Sequence, residues 1–102
     1  MQAGNYQLDL EAQQRLQRER IIKYRVIRDT YCWLVRDPKI CSRLSSEELE
    51  DWIKLVSRTI VHFWCWIKAR FNTDASHVAN MKRKKAMSEL KAFEKKHNLN
   101  PF

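Results

Sequence analysis

Glycine and proline are nearly missing from this chain. One Gly and two Pro among 102 residues amount to about a quarter of the roughly 12% that average usage would supply. So few turn-forming residues exclude a sandwich, a barrel or a repeated βαβ array, which leaves an all-α class. A long apolar run is missing too. The longest apolar-rich stretch, Ile60 to Ile67, is interrupted by His62 and falls well short of the roughly 20 residues that cross a bilayer. No membrane span is therefore expected. Residues 1–7 hold neither a basic nor an apolar segment, so no secretory signal is read. The three cysteines, Cys32, Cys41 and Cys65, are an odd number at irregular spacing. They do not make a disulfide framework and suit a reducing compartment, cytoplasmic or, in a eukaryote, nuclear.

Catalytic signatures are missing as well. Gly4 is the one glycine, so no glycine-rich loop can cradle a phosphate, and no HExxH, GxSxG or CxxC occurs. His62 and Cys65 are three apart and could face one metal from a helix, but a zinc site needs two more ligands. The pair reads as packing, with no metal and no cofactor expected. The chain is expected not to be an enzyme.

What is present is positive charge and apolar periodicity. Twenty Lys and Arg against 12 Asp and Glu give +8, which favours acidic partners and disfavours a DNA mimic or a calcium protein. The apolar share, 44%, is enough for a core and excludes disorder of the whole chain. The pattern predicts a three-helix, mostly antiparallel bundle with a long first helix. Residues 1–7 are expected to form a mobile N-terminus, 8–97 a single helical domain and 98–102 a tail. The first helix is predicted from Leu8 to Arg36, ended by Pro38. Leu16, Tyr24, Ile27, Tyr31 and Leu34 form its core face, with Ile22, Val26 and Trp33 as a second apolar stripe. A capping box at Ser45 and Glu48 opens the second helix, which is expected to reach about Phe71. Thr73 or Asp74 caps the third, which runs to about His97 with Ala75, Ala79, Ala86, Leu90 and Phe93 inward.

The expected function is that of an accessory or regulatory protein acting at nucleic acid, or on a nucleic-acid-processing assembly, through a basic helical surface. The run Lys82, Arg83, Lys84, Lys85, followed by Lys91, Lys95 and Lys96, gives residues 74–102 seven basic groups against three acidic ones. Phosphates reward such clusters through counterion release. Arg18 and Arg25 of the first helix are expected to assist. Ile67, Phe71, Asn72, Val78 and Met81 are similar in spacing to a helix-turn-helix, a resemblance that would direct Ser76, His77 and Asn80 at base edges. Lys68, Asn72 and Thr73 depart from that pattern. The alternative expectation is an adaptor or inhibitor docking on a larger protein, or a homodimer, through exposed aromatic residues. Four tryptophans are a high load for this length, and Trp33, Trp66 and Leu55 lie off the main core faces, where interface hot spots occur.

Overall fold

The computed structural model describes residues 3–71 and 73–99, with side chains from residue 10 onward. The elements are α1 (Ala3–Leu34), α2 (Pro38–Cys41), α3 (Ser46–Lys68) and α4 (Asp74–Lys96), with no strand among the described residues. The all-α bundle with a long first helix is the observed architecture. Helix α1 begins at Ala3 rather than Leu8 and ends at Leu34 rather than Arg36. The single-turn helix α2 fills the connector: Asp37 is extended before Pro38, and its carboxylate accepts from the Lys39 amide at 3.0 Å.

Local chemistry sets the other boundaries. At the start of α3 the Ser45 hydroxyl accepts from the Glu48 amide (3.1 Å), while the Glu48 carboxylate accepts from the Ser45 amide (2.9 Å), completing the capping box. Thr73 caps α4 by accepting from the Ser76 amide at 3.2 Å. The C-terminus of α4 closes in a Schellman motif. Asn98 is left-handed (φ 60°), its amide donates to Lys95 O (3.3 Å), and the Leu99 amide donates to Glu94 O (2.8 Å). Leu99 is thereby folded into the core; residues 100–102 of the expected tail lie outside the described residues. We expect Ser45→Ala to cost about 1 kcal/mol in urea unfolding, because the Glu48 amide loses its acceptor.

Helix α3 is the centre, with α1 and α4 both antiparallel to it. Tyr24 meets Trp64 and Tyr31 meets Trp52 on one flank, while Arg58 meets Glu89 on the other. The result is an elongated body of 58 × 21 × 18 Å. Its core gathers Ile27 and Tyr31 from α1, Trp52, Val56, Phe63 and Trp66 from α3, and Ala79 and Leu90 from α4. Helix α1 reaches the end of α3 at Gln17, whose side-chain amide donates to Ile67 O (2.8 Å), and at Arg20, which donates to Trp66 O (3.1 Å). These carbonyls belong to the last turn of α3, where no backbone amide follows to take them. Residues before Gln17 therefore run past the end of α3, which is why Leu16, expected in the core face, is exposed. Ala75 is exposed in the same way at the start of α4. The second stripe of α1 does not close the bundle: Ile22, Val26 and Trp33 all face solvent.

Candidate nucleic-acid interface

Helix α4 carries three acids and seven bases, and packing removes the acids from most of its surface. Glu94 is buried, and Glu89 is held by Arg58 of α3 at 3.1 Å. Asp74 stands alone at the N-terminus, where the helix dipole favours it. Lys82, Lys84, Lys85, Lys91, Lys95 and Lys96 are all exposed, and none of them forms an ion pair among the described residues. Lys84, Lys91 and Lys95 recur at seven and four residues, so they line one ridge spanning about 16 Å at 1.5 Å per residue. Lys82 and Lys85 face the other way, toward α3, and border a shallow groove of about 230 Å³ with Arg58, His62 and Glu89.

Arg83 does not join its neighbours. Its guanidinium lies 4.0 Å from the centre of the Trp66 ring and 5.0 Å from that of Phe63, and two of its nitrogens donate to Asn80 Oδ1 at 3.2 and 2.6 Å. Burial pushes its pKa down, and the charge of Arg20 adds to the effect. Position 83 turns toward the core side of α4, so its charge is spent on aromatic faces rather than offered to solvent. Asn80 is tied up in the same contact. Ser76 is buried beside Ala79 and cannot reach a base edge, whereas His77 is exposed. Arg18 and Arg25 are exposed on α1, and no hydrogen bond or ion pair among the described residues joins them to the α4 lysines.

The helix-turn-helix resemblance does not survive. Such a motif crosses its helices at roughly 90–120° and buries the apolar positions of the second. Here α3 and α4 lie antiparallel along their length, and Val78 and Met81 are exposed at 48% and 61%. The tryptophans also sort differently from expectation. Trp33 is 80% exposed, but Trp66 is 8% exposed, with its ring edge-on to Phe63 at 5.9 Å and 82°. Trp66 is therefore a core residue and not a docking residue; Arg20 and Arg83 cover it. Leu55 is half-buried against the core.

Two functional groups escaped the sequence reading. Arg20 caps the C-terminal turn of α3 from another helix, a role that no local pattern encodes. Glu94 is 4% exposed and receives both the Tyr31 hydroxyl (2.5 Å) and the Trp52 indole N–H (3.2 Å) on Oε2. Burial drives the Glu94 carboxyl above the usual range, against the pull of those two donors, and the Tyr31 phenol is also driven up. Its signal was there: Glu94 sits one turn beyond Leu90 and two beyond Ala86 on the apolar face of α4.

Among the described residues no group of three His, Cys, Asp or Glu side chains gathers to hold a metal, and no helix is long and apolar enough to cross a membrane. Cys32 and Cys65 are exposed, and Cys41 approaches Val35 O at 3.2 Å. The chain matches no protein-family model, and no curated protein or solved structure is significantly similar to it.

Proposed function

We propose that this chain is a non-enzymatic accessory protein that binds nucleic acid through the lysines of α4. The supporting observation is the sorting of charge on that helix. Its acids are buried, paired or confined to the N-terminus, while six lysines remain exposed and form no ion pair among the described residues. Such a surface neutralises phosphates without reading bases, so binding is non-specific and falls steeply with salt. Lys84, Lys91 and Lys95 track one phosphate strand along the ridge, and Lys82 and Lys85 extend the positive field over the α3 side.

The test is a titration of labelled duplex and single strand at several salt concentrations. The triple variant Lys84→Ala, Lys91→Ala, Lys95→Ala is expected to keep its helicity. Its salt slope is expected to fall by about 2–3, at roughly 0.7–0.9 for each phosphate it no longer neutralises. An unchanged slope, or parent binding no tighter than that of an unrelated basic protein, overturns the reading.

A second reading rests on Trp33. An indole 80% exposed, on one stripe with Ile22 and Val26 and beside a cleft of about 520 Å³ formed with Cys32, Arg36 and Pro38, has the character of an interface anchor. Trp33→Ala is expected to change stability by less than about 0.5 kcal/mol. It would abolish retention of a protein partner in a nuclease-treated pull-down. A folded variant that keeps every partner excludes this reading.

A further inference from the structure

Two guanidinium groups are drawn to one buried indole. Arg20 of α1 lies 4.4 Å from the centre of the Trp66 ring and Arg83 of α4 lies 4.0 Å from it. No carboxylate approaches either within 4 Å among the described residues. Burial lowers the proton affinity of both, and at Arg83 the charge of Arg20 lowers it further. Two like charges, partly withdrawn from water and without a counter-ion, are an arrangement that an anion relieves.

The two arginines are not equally free to meet one. Arg83 is committed to Asn80 Oδ1. Arg20 stacks on Phe71 (4.0 Å) as well as on Trp66, and one of its N–H groups donates to Trp66 O. A guanidinium has five N–H donors, so most of its edge stays unused while the aromatic contacts restrict its orientation. Arg20 lines a cleft of about 570 Å³ with Leu16, Phe71, His77 and Asn80, a size that suits a small organic ligand. Because Asn80 Oδ1 accepts from Arg83, the Asn80 amide nitrogen is left as a donor. Thr73, Asp74 and Ser76 complete the lining; the Asp74 carboxylate is exposed and makes no ion pair with Arg20.

We propose that this cleft binds a phosphate monoester. The Arg20 guanidinium takes the terminal oxygens in the forked geometry that suits phosphate, His77 and the Asn80 amide add donors, and Leu16 and Phe71 line the organic portion. The site is separate from the lysine ridge of α4 and does not depend on it. The phosphate comes either from a free metabolite or from the end of a nucleic-acid strand.

The test is an NMR titration of the full ¹⁵N-labelled chain at constant ionic strength set by chloride. The probes are a nucleoside 5′-monophosphate, the same nucleoside without phosphate, and an oligonucleotide with or without a 5′-phosphate. Saturable shifts of the Arg20 Nε–H resonance with the monophosphate, and none with the nucleoside, are expected. Arg20→Gln, which keeps a donor for Trp66 O, is expected to weaken binding about tenfold or more. The triple lysine variant is expected to bind the monophosphate as the parent does, which separates this site from the ridge. In the triple lysine variant, a strand whose 5′-phosphate tightens binding beyond that of the same strand without it and of the monophosphate identifies a strand end as the source; no such gain identifies the metabolite. Non-saturating shifts, equal response to the nucleoside, or shifts centred on the α4 lysines instead of Arg20 overturn the proposal in the parent protein, even if Arg20→Gln does not fold. A folded Arg20→Gln with unchanged affinity overturns it too.

Discussion

Trp66→Ala is expected to destabilise the protein by about 3–5 kcal/mol, while Trp33→Ala changes stability by less than about 0.5 kcal/mol. The residue type is the same, but the exposures are 8% and 80%. Removing the Trp66 indole empties the space between α3 and its neighbours and takes away the edge contact with Phe63. It also strips Arg20 and Arg83 of a common aromatic face, leaving two partly buried cations with less to offset their lost hydration. Domains of this size hold only about 5–15 kcal/mol in total, so the variant should be largely unfolded at moderate urea. Urea unfolding followed by far-ultraviolet circular dichroism separates the two variants directly. Equal midpoints for Trp66→Ala and Trp33→Ala would contradict the central packing of α3.

The second large effect is at Glu94 and depends on pH. Its carboxyl titrates higher in the folded protein than in the unfolded chain, because burial disfavours the charged form. The folded state therefore binds the proton more tightly. Glu94 contributes stability that is fully present below the ordinary carboxylate range and is lost as pH rises through its raised folded value. Glu94→Gln keeps an oxygen for the Tyr31 and Trp52 donors and carries no charge. It is expected to be more stable than the parent at neutral pH and to match it in acid, where the parent carboxyl is protonated. Glu94→Ala is expected to lose about 1–3 kcal/mol in acid, since both donors are orphaned, and its deficit is expected to shrink as pH rises and the parent carboxyl ionises. Chemical denaturation at a series of pH values reads all three curves, and a parent that gains on Glu94→Gln as pH rises would reverse the assignment. Glu48 runs the other way. Its carboxyl is held below the usual range by the Ser45 amide and hydroxyl, so its contribution is present above that range and is lost as pH falls through the folded value.

The starts of α3 and α4 were legible because each is written in a few adjacent residues, whereas the start of α1 at Ala3 was not foreseen. Ser45 with Glu48 and Thr73 with Ser76 each satisfy their own backbone within three positions, so no distant partner is needed. The core face of α3 was legible for a similar reason: periodicity alone places Trp52, Val56, Phe63 and Ile67 on one side. Trp66 misled because it sits at the margin of that face. Two helices approach the margin from opposite flanks and cover it with arginine side chains, which periodicity counts as solvent-facing. Arg83 misled in the same contact, since four consecutive bases look equivalent in a row but point in four directions on a helix.

Composition and short-range pattern were enough for the helical class, the starts of α3 and α4, and the excess of positive charge on the last helix. The charges available to a ligand were decided only when α1 and α4 settled on α3. Burying Glu94 and pairing Glu89 left the α4 lysines exposed and without an ion pair among the described residues. Stacking on Trp66 withdrew Arg83 from it and fixed Arg20 at the edge of a cleft. The reason is physical: a residue's charge travels with its side chain, but its hydration and its counter-charge are set by whichever distant surface comes to rest against it.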